Sequence, residues 1–219
     1  MVKAALFDVD GTLVDSNDLH VHAWAQTFAR FGIDMPPDRI RPLVGMGGDN
    51  LIPALLPDLP QERQEEIENY RSDLFKRDYL PRAAPFPGVR ALFERLAADG
   101  TRILLASSSG QAEVAHMVSL LGVEDLISGT TSKDDVSHSK PCPDIFEAAL
   151  EKAGVTAEEA AVIGDSPWDV EAAAKLDLRT IAVRCGGFPD DVLLDTGASE
   201  LFDSPEDLLN GYDHSLLSR

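Results

Sequence analysis

Six consecutive residues, Phe7-Asp8-Val9-Asp10-Gly11-Thr12, place two carboxylates two positions apart where an apolar run meets a turn. In an extended chain that spacing sends both side chains to one face, and Gly11 then bends the backbone away. Like charges so close are costly unless a cation sits beside them, and Mg²⁺ is the cation that carboxylate oxygens suit. Three more polar signals follow apolar runs or open helices: Ser107 with Ser108, Lys140 ahead of Pro141, and the pair Asp165 and Asp169. Phosphoryl transfer needs in-line positioning and cancellation of charge on the equatorial oxygens, which a hard cation and an ammonium supply. The N–H groups of Gly11, Thr12 and Ser108 are expected to form an anion-binding concavity. Taken singly, these residues have other uses. Ser107 also fits as a helix cap, Lys140 as a solvated loop residue, and Asp165 and Asp169 as carboxylates favoured at a helix start.

The elements that must position them follow from the apolar pattern. Runs at 4–7, 103–106, 160–163 and 180–183 alternate with helical spacing at 89–98, 111–121, 144–153 and 170–176, and Gly100, Gly122 and Gly154 close the first three helices. That alternation predicts an α/β fold, a Rossmann-like parallel sheet with helices on both faces, and puts the polar signals together at the carboxyl ends of the strands. The segment 16–85 contains no comparable strand and reads as a small helical insertion, with helices near 17–31 and 61–79. Residues 1–15 and 86–219 would then form the core domain and 16–85 a second unit, hinged near Asp15-Ser16 and near Pro81, Pro85 and Pro87. A short strand at 200–202 and a helix begun by Ser204-Pro205 are expected to finish the fold.

In order along the chain, Asp-x-Asp-Gly-Thr at 8–12, Leu-Ala-Ser at 105–107, Lys-Pro-x-Pro at 140–143 and Gly-Asp-Ser-x-x-Asp at 164–169 resemble the motifs of the haloacid dehalogenase superfamily of phosphotransferases. The insertion is similar to that family's helical cap of the first type. The resemblance implies that Asp8 is a nucleophile forming an aspartyl phosphate and that Asp10 is the acid and base. It further implies that Mg²⁺ is held by Asp8, Asp165 and the Asp10 carbonyl with Asp169 in support, and that Ser107 and Lys140 grip the phosphoryl oxygens. For Asp10 to act as an acid near neutral pH, its neighbours Asp8 and Asp165 are expected to keep it protonated part of the time. An acid/base Asp two residues after the nucleophile disfavours halide displacement, since the halide-displacing members lack it.

His20 resembles a cap histidine of the sugar-phosphate mutases, of which β-phosphoglucomutase is an example. The loop 44–50, Val-Gly-Met-Gly-Gly-Asp-Asn, has no Arg where that group offers one for a second phosphate, and Gly110 stands where it tends to have Lys. Gly45 and Gly48 in this loop allow close approach of backbone to substrate, whereas Trp24 and Met46 are expected to pack. The reading is therefore a Mg²⁺-dependent phosphomonoester hydrolase for a small phosphorylated metabolite of the phosphoglycolate or sugar phosphate type. A mutase and a receiver-like phosphorylatable signalling module are the alternatives, the long insertion and Asp10 arguing against the second.

A formal charge of −19 over 219 residues disfavours nucleic acid and anionic membranes as partners. No run approaches the roughly 20 apolar residues of a membrane span. Cys142 and Cys185 fit no disulfide framework and no metal spacing. With no secretory pattern at the start, a cytoplasmic location and a monomer or homodimer are expected.

Overall fold

The computed structural model describes residues 2–219. Its strands are β1 (Ala4–Phe7), β2 (Val14–Asp15), β3 (Ala84–Pro85), β4 (Arg102–Ala106), β5 (Gly129–Thr131), β6 (Ala160–Gly164), β7 (Arg179–Val183) and β8 (Glu200–Phe202). Six of them make one parallel sheet in the order β5-β4-β1-β6-β7-β8. Both faces are covered, which is why these strands read as continuous apolar runs. Phe7, Ile103, Leu105 and Ile163 face the side occupied by Leu92 and Phe93 of α5 (Val89–Ala98) and Met117 of α6 (Gln111–Leu121). Leu6, Leu104 and Val162 face Ile145, Phe146 and Ala149 of α7 (Asp144–Ala153) and Ala172 of α8 (Pro167–Ala174). The chain completes the core with α9 (Asp190–Thr196) and α10 (Pro205–Asn210), the latter capped by Ser204 Oγ.

Strand order reverses on either side of β1, and the crevice that such a reversal opens lies beyond the strands' carboxyl ends. Asp8 follows β1, Ser107 follows β4 and Asp165 follows β6 directly. Three expectations need correction. The three-residue β5 has no counterpart among the apolar runs, α8 begins at Pro167 instead of 170, and β2 pairs antiparallel with β3. That two-stranded ribbon ties together the chain on either side of residues 16–83.

The insertion consists of α1 (Asn17–Arg30), α2 (Pro37–Ile40), α3 (Gly48–Leu55) and α4 (Gln61–Leu74), the last continued by a π-helical turn over Phe75–Tyr79. Val21, Trp24, Phe28, Ile40, Leu51, Ile52 and Ile67 form a hydrophobic cluster separate from those of the sheet. Among the described residues no helix is long and apolar enough to cross a membrane.

Candidate active site

Asp8, Asp165 and Asp169 are buried and offer carboxylate oxygens within 4.8 Å of one another. Into their midst runs Lys140, from the loop before α7. Its Nζ lies 2.5 Å from Asp8 Oδ1, 2.8 Å from Asp169 Oδ1 and 2.9 Å from the carbonyl of Ala106. Thr12 Oγ1 is 3.1 Å from Asp8 Oδ2 and 3.2 Å from Asp165 Oδ1, while Asn17 Nδ2 donates to Asp165 Oδ2 at 2.8 Å and to the Gly186 carbonyl at 2.9 Å. Asp169 Oδ2 accepts from Ser166 N and Oγ, the capping box that starts α8.

Three carboxylates face one ammonium. Burial pushes the Asp8 carboxyl up to about 7, with Lys140 pulling the other way. Burial, then the charges of Asp8 and Asp169, push the Asp165 carboxyl well above the usual range. For Lys140, burial disfavours the charge but Asp169 and Asp8 outweigh it, and the ammonium persists. A buried, oxygen-only donor set with surplus negative charge fits Mg²⁺. The crowding is testable without turnover. Asp165→Asn is expected to raise the thermal midpoint of chelator-treated protein by about 2–4 °C, as relief of roughly 1 kcal/mol would in a chain of this size. The same change should abolish any rise on adding Mg²⁺, measured by scanning calorimetry.

Asp10 points elsewhere. Its Oδ1 accepts from Ser16 Oγ at 2.6 Å and lies 2.8 Å from His20 Nε2, and its Oδ2 accepts from Ser109 Oγ at 3.0 Å. This overturns the expectation that Asp8 and Asp165 keep Asp10 protonated. Burial favours the acid form, yet His20, Ser16 and Ser109 together hold the carboxyl well below the usual carboxylate range. His20 is fixed in turn. Arg71 donates to its Nδ1, which leaves Nε2–H facing Asp10, and the ring stacks on Phe75 with centroids 4.1 Å apart.

The expected Gly11 and Thr12 anion concavity is also corrected. Gly11 N–H donates to the Val14 carbonyl and Thr12 N–H to the Val9 carbonyl, so both are spent closing the turn. Gly11 is needed for a different reason: its φ is +79°, and a Cβ would meet Asn17 Nδ2 at 2.3 Å and Asp165 Oδ2 at 2.4 Å. Ser107 Oγ accepts the Ser109 N–H, whereas Ser108 and Ser109 line the cavity. Gly45 and Gly48 line it too, but they are packed against protein. Ser108 Oγ donates to the Gly45 carbonyl at 3.2 Å, and a Cβ on Gly48 would meet the Glu68 carboxyl at 2.9 Å.

The sequence profile of the haloacid dehalogenase-like hydrolases matches residues 5–183. The chain belongs to that family. A phosphorylated carbohydrates phosphatase of Thermotoga maritima is 29% identical over 95% of this chain and 97% of its own length. A phosphoglycolate phosphatase of Yersinia pestis is 30% identical over 84% of this chain and 82% of its own. The crystal structure of a hydrolase from Pseudomonas syringae superposes with a TM-score of 0.92 at 30% identity, covering 98% of this chain and 99% of that one.

Against this haloacid dehalogenase-like frame, the residues that the sequence did not single out are Asn17, Ser109 and Arg71. Asn17 is the first residue of α1, and its amide reaches across the cleft to Asp165. Ser109 is the third of three consecutive serines, and only the backbone path decides that it faces Asp10. Trp24 belongs to the insertion's hydrophobic cluster, as expected, and also lines the cavity.

Proposed function

We propose that this hydrolase is a phosphatase that releases inorganic phosphate from small phosphomonoesters through a covalent aspartyl phosphate on Asp8, with residues 16–85 acting as a cap over the site. The observation that carries it is the division of labour between two carboxylates two residues apart. Asp8 sits beside an ammonium among buried carboxylates, and Asp10 turns to the cap. Asp8, Asp165 and the Asp10 carbonyl would hold Mg²⁺ with Asp169 in support, and the ion would neutralise charge on the phosphoryl oxygens.

An oxygen of Asp8 attacks phosphorus, and the bond from phosphorus to the substrate oxygen breaks as Asp10 hands a proton to the departing alkoxide. Because Ser16 and His20 of the cap segment and Ser109 of the core hold Asp10 ionised, that proton must reach Asp10 with substrate in place. In the second half-reaction Asp10 is already in the form that takes a proton from water. The water attacks phosphorus of the aspartyl phosphate and returns Asp8. Lys140, and the Ser107 hydroxyl where it is free to donate, offset charge on the transferring group.

The cavity, lined by Asp8, Asp10, His20, Arg71 and the loop 44–48, is small, which suits a compact metabolite rather than a polymer. A monomer or a homodimer fits this reading. Two free, unpaired cysteines suit a reducing cytoplasm. Hydrolysis is favoured over isomerisation because the loop 44–50 carries no cation for a second phosphate. The test is phosphate release from p-nitrophenyl phosphate, phosphoglycolate and a set of sugar phosphates. Release is expected with Mg²⁺, lost with EDTA and restored by excess Mg²⁺. Release from none of these esters, or release indifferent to chelation, overturns the reading.

A further inference from the structure

The cleft that holds Asp8 and Asp10 continues past Trp24, Gly48 and Ser108 into a second hollow, where Glu68, Ser72, Glu113 and Lys133 join the lining. Arg71 lines both parts. Two side chains here carry hydrogen-bonding capacity that the protein does not meet. Glu113, in the first turn of α6, is only 2% exposed; its Oε1 accepts from Ser72 Oγ at 3.2 Å and its Oε2 has no partner among the described residues. Arg71 donates to His20, but its buried Nε has no partner, and no carboxylate among the described residues lies within ion-pair distance of the guanidinium. What surrounds it instead is aromatic, the Trp24 ring 5.2 Å and the Phe75 ring 4.7 Å away. Burial lowers the guanidinium pKa, with Glu113, Asp10 and Glu68 opposing.

A guanidinium and a carboxyl group, both buried, lining one hollow and not paired with each other, are costly to leave unmet. Something of matching chemistry is expected between them. Lys133 is not free to be that match, since its Nζ is held by Glu68 Oε1 at 2.6 Å. With Arg71 and Lys133 set against Glu68 and Glu113, the hollow has no surplus positive charge. A second phosphate or a carboxylate would gain little from Arg71 and would lie beside the unpartnered Glu113 carboxyl. A hydroxyl answers both demands, donating its proton to Glu113 Oε2 and accepting from Arg71. The indole face of Trp24 beside them suits the carbon skeleton of such a chain.

We propose that Arg71 and Glu113 form the specificity-determining pair of this site and read a hydroxyl of the substrate, so that phosphorylated sugars and polyols are preferred over phosphorylated carboxylic acids and bisphosphates. The proposal rests on the phosphomonoesterase reading above, and its test is built so that the two fail separately. The first measurement is kcat/KM for ribose 5-phosphate and for phosphoglycolate, with Mg²⁺, in the wild type and in Glu113→Gln. The second is the thermal midpoint shift that each ligand produces in Asp8→Asn and in Asp8→Asn combined with Glu113→Gln.

The wild type is expected to prefer ribose 5-phosphate, and Glu113→Gln, which puts a donor where the hydroxyl proton points, should lower the ratio of the two kcat/KM values by about tenfold or more. The larger midpoint shift with ribose 5-phosphate should shrink toward that of phosphoglycolate in the double variant. A merely structural role for Glu113 would depress both substrates together and leave the ratio in place, which overturns the proposal, as does a wild-type preference for phosphoglycolate. If the wild type hydrolyses neither ester, the midpoint shifts decide alone, and the phosphatase reading falls only if p-nitrophenyl phosphate and the other sugar phosphates are untouched as well. A ribose 5-phosphate preference that Glu113→Gln removes upholds the subsite, and equal shifts in both proteins refute it.

Discussion

Asp8→Asn is expected to reduce phosphate release from every substrate by about 10⁴-fold or more, the scale seen when an enzyme loses its covalent nucleophile. The reason is specific to the geometry. The Asp8 carboxylate is the one of the four that both abuts Lys140 and lies directly after the central strand, and no second nucleophile stands in its place: Asp165 is engaged by Thr12 and Asn17, Asp169 by Ser166 and Lys140, and Asp10 by Ser16, His20 and Ser109. The amide keeps the shape of the side chain and an oxygen toward Lys140. With one carboxylate fewer in a cluster already too negative, the variant should also unfold at a temperature no lower than the wild type's. Mass spectrometry of acid-quenched protein after mixing with substrate should find a phosphorylated Asp8 in the wild type and none in the variant. Turnover surviving in Asp8→Asn would remove the covalent mechanism altogether.

The site is unevenly legible in the sequence, for physical reasons. β1, β4, β6 and β7 are buried on both faces, so their apolar runs announce them, and glycines in the left-handed region at 122 and 154 mark where α6 and α7 stop. Hence the apolar pattern alone suffices to gather Asp8, Ser107 and Asp165 at the carboxyl ends of the strands. β5 escapes it because Gly129-Thr130-Thr131 is neither long nor apolar; it is held by its ladder to β4. The orientation of Asp10 is beyond the two-residue alternation of a strand, since β1 ends at Phe7 and Gly11 turns the chain. Arg71 and Glu113 are harder still. α4 is rich in Glu and Arg, and which of its charges is buried depends on how the helix lies over the cleft. Glu113 looks like an ordinary first-turn carboxylate, favoured there by the helix dipole. Side chains whose task depends on two separate elements meeting leave no periodic trace in either one.

Asp10→Asn should divide the catalytic cycle in two. The donors around Asp10 can tolerate the change: the retained oxygen still accepts from Ser16 and His20, and the new amide can donate to Ser109, whose hydroxyl is free to turn and accept. What is lost is proton transfer, a contribution of about 10²- to 10⁴-fold. For an alkyl phosphate both halves suffer, since the alkoxide leaves without a proton and water attacks without a base. With p-nitrophenyl phosphate the leaving group needs no proton, so the first half proceeds and only hydrolysis of the aspartyl phosphate stalls. Stopped-flow absorbance should therefore show a burst of p-nitrophenolate approaching one equivalent per active site, followed by a slow steady rate, with phosphorylated protein accumulating during the slow phase. The wild type, whose hydrolysis step keeps its base, should show no burst and only the small steady-state fraction of phosphorylated protein that an acid quench traps. A variant that turns over at the wild-type steady rate would refute the acid and base role of Asp10. A variant that shows neither burst nor turnover would mean that Asp10 is needed to position Asp8 and the phosphoryl group, before any proton moves.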